Sequence, residues 1–343
     1  MGTGDQAREA RRGRGNAVNG PRTTPVQLAF LIAPQFSMMS FSAAIEPLRS
    51  ANRLAGRTLY EWQLVSKDGR AVEASNGIRI PVDCALASLA RPDMLVVCVS
   101  LDPEQWAAER AVLHALRRLA RHGCRVGAIS SGAFVLAEAG LLTGRAATVH
   151  WEYADAFRAR FPRLALVPDL YVIDREVFTC SGGTAALDLM LHFIREHLGP
   201  ALAVSVAEQF MHPRIREHGD RQRMDVGARY GLHDPKLTTA IRQMEQALEE
   251  PLPMTALARR AGTSVRQLER LFQSRFGTTP TRFYVRMRLE RARTLVLQGA
   301  RPVREIALEC GFGSTSHFCH AYRAAFQTSP TADRRSGGVV RPA

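Results

Sequence analysis

Two short runs near the C-terminus place polar and charged side chains at a helical spacing. Arg266, Gln267, Glu269, Arg270 and Gln273 lie off a stripe made by Leu268, Leu271 and Phe272. Thr315, Ser316, Cys319, His320 and Arg323 lie off a second stripe, Phe318, Tyr322 and Phe326. The apolar residues of each run recur at the helical period and call for burial, which leaves the polar groups outward. Their chemistry is that of hydrogen-bond exchange and charge pairing with an external partner. Metal or disulfide chemistry is disfavoured: Cys84, Cys98, Cys124, Cys180, Cys310 and Cys319 are scattered, with no Cys-x-x-Cys pair. That pattern suits a reducing cytosol.

Each run is the second half of a repeated unit. Leu257-Ala258 matches Ile306-Ala307 and Ala261-Gly262 matches Cys310-Gly311, both at an offset of 49. Past the turn the offset is 50, from Leu268 with Phe318 to Pro280 with Pro330. A repeat with one residue inserted at its turn indicates a duplicated supersecondary unit. Each copy reads as a short helix, a Gly-containing turn and a longer helix, which is a helix-turn-helix. Ser264 to Gln267 is spaced as a capping box that would start the longer helix. The run from Thr281 to Leu297 has no Pro or Gly and predicts one continuous helix between the units. Two such units on a rigid spacer can enter successive major grooves, about 34 Å apart. A helical packing module that meets no DNA is the alternative reading.

The segments LARRAGTSVRQLERLF, GTTP, RLERARTLV and IALECGFGSTSHFCHAYRAAFQTSP resemble the DNA-binding domain of the AraC/XylS transcription regulators, over about residues 234–333. The resemblance implies that Ser264, Arg266, Gln267, Glu269 and Arg270 of the first unit contact double-stranded promoter DNA, with Ser314, Thr315, Ser316, Cys319 and His320 of the second. Arg266, Glu269, Arg270, Thr315, Ser316, Cys319 and His320 would point toward base edges. It also implies RNA polymerase as a partner.

Composition agrees with a polyanionic partner: the formal charge is +14 and the sequence pI is near 10.5, the sign expected for nucleic-acid attraction. No apolar run reaches the length of a membrane span, so no membrane partner is expected. Residues 1–24 lack the apolar core of a secretory signal and read as a disordered basic tail, with a second tail over 334–343. Length allows two domains of ordinary size.

Over residues 25–210, apolar runs alternate with helical patterns. Val26–Ala33, Asp93–Ser100 and Cys124–Ser130 read as buried strands, and Tyr60–Ser66 as a half-buried one. Val72–Val82 is extended around an Asn76-Gly77 turn, and Leu170–Cys180 alternates again. Helices are predicted over 41–54, 103–121, 133–139 and 184–197. This order predicts an α/β domain with a doubly wound, mostly parallel sheet. It is followed by a connection over 211–233 and an all-α double helix-turn-helix domain. The order, with Gly132–Leu142, Ala147–Glu152 and Thr179–Asp188, resembles the DJ-1/PfpI, or class I glutamine amidotransferase-like, fold. AraC-type regulators with such a sensor domain respond to small nitrogenous metabolites such as arginine, glycine betaine or carnitine. The resemblance therefore implies a small-molecule effector, no cofactor, no metal, a homodimer and a cytoplasmic location.

In enzymes of this fold the turn after the third strand is a nucleophile elbow, with Cys at its apex. Here Ser130 takes that place and Ser131 follows. His150 falls where the family has its His, with Trp151 and Glu152 beyond it, and Glu46 is an acidic candidate on the first helix. Serine with His and an acid could hydrolyse an amide or ester. Ala128-Ile-Ser-Ser-Gly132 lacks the first Gly of Gly-x-Ser-x-Gly, however, and a hydroxyl replaces the low-pKa thiol. The favoured expectation is an effector pocket formed by Glu46, Ser130, Ser131, His150 and Trp151, without catalysis. Phe36, Phe41, Trp151 and Tyr153 are either aromatic rim for a cationic ligand or core.

Overall fold

The computed structural model describes residues 24–298 and 301–336. The expected tails lie outside the described residues, apart from Thr24 and residues 334–336. The first domain is built on a seven-stranded sheet: β1 (Val26–Ile32), β2 (Tyr60–Ser66), β3 (Cys84–Ala85), β4 (Met94–Val99), β5 (Arg125–Ser130), β6 (Tyr171–Asp174) and β7 (Val177–Cys180). Their spatial order is β6-β7-β5-β4-β1-β2-β3. All neighbours are parallel except the edge pair β6 and β7. The helices are α1 (Met38–Ala55), α2 (Pro103–Ala107), α3 (Arg110–Arg121), α4 (Ala133–Glu138), α5 (Ala154–Arg160), α6 (Ala185–Leu198) and α7 (Pro200–Gln209).

Both faces of the sheet are covered, which explains why its central strands are apolar throughout. Leu28, Phe30 and Ile32 of β1 pack with α1, α6 and α7. Ala29 and Leu31, with Leu95, Val97 and Val99 of β4, pack on the other face with α3 and α4. Two details differ from the sequence reading. The helix predicted over 103–121 is split, because Glu109 is extended (φ −75°, ψ 92°) and starts a new helix; the break lets buried Trp106 and Ala107 pack with α4 in the same core. The alternating run 170–180 is a hairpin rather than one strand, turning through Arg175 at φ +59°.

The helical domain contains α8 (Val226–Tyr230), α9 (Pro235–Gln246), α10 (Met254–Arg260), α11 (Val265–Phe276), α12 (Pro280–Gln298), α13 (Val303–Glu309), α14 (Thr315–Phe326) and α15 (Pro330–Arg335). It has two cores. Leu257, Leu268 and Phe272 centre the first, together with Val226, Leu237 and Ile241. Ile306, Phe318 and Tyr322 centre the second. α12 serves both: Tyr284 enters the first core, whereas Leu289, Ala292 and Val296 enter the second.

Residues 211–225 run back along the first domain. Arg216 and His212 bond to Asp188, which is fully buried, and Gln222 Nε2 donates to Thr148 Oγ1 and to the Val149 and Asp169 carbonyls. The domains also meet directly where Arg291 of α12 pairs with Asp155 of α5.

Candidate functional site

The two helix-turn-helix units are set by their caps and cores. Ser264 is the N-cap of α11, its Oγ accepting from Gln267 N at 3.2 Å. Ser314 does the same for α14, accepting from His317 N at 3.4 Å. A hydroxyl at this position satisfies an amide that the helix itself cannot. The inserted residue of the repeat lies in the turn: one residue separates Gly262 from Ser264, and two, Phe312 and Gly313, separate Gly311 from Ser314. Phe312 uses the extra length to bury itself beneath the Arg288 guanidinium, 4.2 Å from the ring centre. Arg288 also donates to the carbonyls of Cys310 and Gly311, at 2.7 and 2.6 Å. The second turn is therefore fastened to α12, and the two units form one piece.

Arg266, Glu269, Arg270, Ser316 and His320 are exposed, and Gln267, Thr315 and Cys319 are half-buried. Among the described residues Arg266, Arg270 and Arg323 have no ion-pair partner, while Arg286, Arg293 and Arg301 are paired within the domain. Arg266, Arg270 and Arg323 lie on α11 and α14, and Arg259 on α10, Arg282 on α12 and Arg304 on α13 are likewise without an ion pair among the described residues, a set of cations open to a polyanion.

In the first domain, Ser130 ends β5 at φ +62°. Side chains adopt that left-handed region at a cost, and the turn is held by its surroundings. Ser131 is fully buried and its Oγ donates to the carbonyls of Val99 and Ser100, at 3.1 and 2.7 Å. Gly182 presses on the apex: a Cβ there would lie 3.0 Å from Ser130 Cα and Cβ and from Ser40 Oγ. Ser40 Oγ accepts from Gly183 N at 2.7 Å and donates to Ser37 Oγ at 3.1 Å, and Ser100 Oγ accepts from Ser37 N at 2.8 Å. The elbow is thus lined by serine hydroxyls from three segments. Ser37, Ser40 and Ser100 were not singled out by sequence reasoning.

His150 N donates to the Ser130 carbonyl at 3.2 Å, which brings the two residues together. The His150 ring turns toward Glu152: Nδ1 accepts from Glu152 N at 3.4 Å and lies 3.8 Å from Glu152 Oε2. Burial holds its pKa below 6.5, opposed by the Glu152 charge. Among the described residues no hydrogen bond joins Ser130 Oγ to His150. The amides that follow the apex are occupied as well, Ser131 N by the Val99 carbonyl and Gly132 N by that of Ile129. An acyl-transfer site needs such amides free for the oxyanion. The nearby Cys180 thiol is buried and pushed up to about 12, which withholds a thiolate.

The remaining expected residues lie apart from the elbow. Glu46 is half-buried on α1, its Oε2 bonded to Arg49. Trp151 is 37% exposed and carries the Arg223 guanidinium 4.4 Å from its ring, in a cleft between the domains. Phe36, Phe41 and Tyr153 are core. No helix among the described residues is long and apolar enough to cross a membrane.

Comparison with known proteins agrees with both halves. Residues 257–336 match the model of a helix-turn-helix domain, and residues 26–196 match the DJ-1/PfpI family. The chain is 46% identical to the HTH-type transcriptional regulator CdhR of Pseudomonas aeruginosa, over 92% of this chain and 93% of that one. It is 40% identical to the HTH-type transcriptional regulator GlxA of Rhizobium meliloti, over 91% and 96% respectively. A ThiJ/PfpI family protein from Pseudomonas syringae shares the fold of the first domain, with 21% identity and a TM-score of 0.51 over 65% of this chain and 87% of that one. With a DJ-1/PfpI domain joined to a duplicated helix-turn-helix, and relatives matched along nearly their whole length, the chain belongs to the AraC-type family of DNA-binding transcriptional regulators.

Proposed function

We propose that the Ser130 elbow receives a small effector without turning it over, and that occupancy there sets promoter binding by the helical domain. The observation that carries this reading is the state of the elbow: Ser131 N and Gly132 N are already bonded to backbone carbonyls, and among the described residues Ser130 Oγ makes no hydrogen bond to His150. What is left, a hydroxyl and a largely neutral imidazole, suits hydrogen bonding to a ligand more than nucleophilic attack. The family resemblance favours an amino-acid-like or betaine-like effector. Arg266, Glu269, Arg270, Thr315, Ser316, Cys319 and His320 would read bases, with a second copy of the chain and RNA polymerase as partners in the cytosol.

The test is a thermal-shift series with L-arginine, glycine betaine and carnitine, followed by mass spectrometry of compound and protein. A ligand that binds only the native state raises its stability, by about 2.7 kcal/mol at a hundredfold excess over Kd. Intact compound and unmodified protein are expected. Consumption of the compound, lost in Ser130→Ala, would establish a hydrolase instead.

A further inference from the structure

The cleft that holds Trp151 is chemically unlike the elbow. It encloses about 720 Å³ and draws its walls from both domains, with Val149 and Trp151 on one side, residues 221–226 along the base and α9 opposite. That volume falls within the range of small-molecule sites, which occur preferentially at domain boundaries. Its charge is unbalanced: five arginines line it against two carboxylates, Asp225 and Glu245, and of the five Arg158 is paired outside the lining with Asp155 at 3.0 Å. Both carboxylates are already engaged, Asp225 by Arg242 at 3.1 Å and Glu245 by Arg229. Arg223 is left 3.7 Å from the shared Glu245, and Arg221 has no ion pair among the described residues. Burial, and then the neighbouring Arg229 charge, hold the Arg223 pKa below its ordinary value, opposed by Glu245.

Two large apolar side chains are exposed in the cleft. Trp151 and Met224 are 37% and 64% exposed, and both line the cleft. The unpaired Arg221 guanidinium, with Arg223 stacked 4.4 Å from the Trp151 ring and the exposed part of that ring beside Met224, is complementary to an organic acid. The planar forks of arginine take a carboxylate with two hydrogen bonds, and the ring takes the hydrocarbon portion.

We propose that this interdomain cleft is a second ligand site, for a small organic anion whose acidic group is held by Arg221 and Arg223 and whose apolar body rests on Trp151 and Met224. Because its walls come from both domains, its ligand is coupled to DNA binding. A change in ligand affinity on DNA binding must appear as an equal change in DNA affinity on ligand binding.

The probe is phthalate, an aromatic dicarboxylate, titrated into the full-length protein while tryptophan fluorescence is followed; neutral benzamide is the control. Saturable quenching by phthalate, and not by benzamide, is expected. Arg221→Gln should weaken it at least fivefold. This side chain is exposed and makes no ion pair, so the variant is expected to fold, with its circular dichroism spectrum as the check. Arg223→Gln should weaken it further, and Ser130→Ala should leave it unchanged, which separates this site from the elbow. Saturating phthalate should also shift the affinity for a promoter fragment, and Arg221→Gln should abolish that shift. Absence of saturation, equal quenching by benzamide, retention of full affinity in Arg221→Gln, or loss of binding in Ser130→Ala would each overturn the proposal.

Discussion

Arg216 is fastened to Asp188 through both of its polar ends. The backbone N–H donates to Oδ1 at 2.7 Å, and Nε and Nη2 donate to Oδ2 at 2.9 and 2.6 Å. His212 Nε2 lies 2.8 Å from the same Oδ1. A carboxylate with no exposed surface therefore anchors the chain that leaves the first domain. Removing one member of a buried ion pair leaves the other without its partner, typically at a cost of about 3–5 kcal/mol. Asp188→Ala is expected to lower stability on that scale in chemical denaturation. It should also open residues 211–225 to limited proteolysis. An unchanged cleavage pattern would mean that the segment is held by other contacts, such as those of Gln222.

A second expectation concerns base reading. Arg270 is exposed on α11 and has no ion-pair partner among the described residues. An arginine bridging guanine O6 and N7 contributes about 1–3 kcal/mol of discrimination. Arg270→Ala should weaken binding to the specific promoter site by that amount and binding to random DNA by clearly less. Competition gel shifts at fixed salt measure both. Equal losses would make Arg270 a phosphate contact only.

The duplicated unit was legible because its determinants are local. Apolar period, turn glycine and capping serine all lie within a few residues, and the change of offset from 49 to 50 marks the extra residue that Phe312 uses to reach Arg288. The elbow was legible only by its place in the strand order. Its lining was not, because Ser40, Ser100 and Gly182 are brought together by three separate crossings of the sheet. Glu46 shows why. It and Ser40 share α1, but six residues set their side chains in different surroundings, Ser40 beside Gly182 and Glu46 half-buried and paired with Arg49. The Asp188–Arg216 pair was equally hidden, since nothing local tells that a basic run in a connecting segment will return to a buried acid.

His150 gives a pH-dependent expectation. Its folded pKa lies below 6.5, chiefly through burial. As pH falls through that unfolded value, the unfolded chain takes up a proton before the folded one does. Stability present above the unfolded pKa is therefore lost on acidification until the folded ring also protonates. Relative to His150→Gln, the wild-type protein should lose more stability between about pH 7 and pH 5. Paired urea titrations read the difference directly. The comparison cancels His192, whose pKa burial also lowers. Parallel curves for the two proteins would show that the imidazole is not buried as described.

The elbow separates a packing role from a binding role in two neighbouring residues. Gly182 at φ +88° touches the Ser130 backbone, so a methyl group there meets Ser130 Cα at 3.0 Å and cannot be accommodated by a side-chain rotation. Gly182→Ala should cost about 1–3 kcal/mol through the backbone conformation alone, and it should abolish the effector response by displacing the apex. Ser130 Oγ makes no hydrogen bond among the described residues, and the side chain is small. Ser130→Ala should therefore change stability by no more than about 0.5 kcal/mol and leave promoter affinity in the absence of effector unchanged. What it should change is the effector concentration for half-maximal transcription. A lost hydrogen bond to the ligand is worth about 0.5–1.5 kcal/mol, so the midpoint should rise by roughly twofold to tenfold. A dose-response curve in a reporter strain, set beside thermal unfolding of the purified variants, distinguishes the two. If Ser130→Ala shifts the unfolding transition as far as Gly182→Ala and leaves the midpoint where it was, the hydroxyl belongs to the packing of the elbow and not to the effector site.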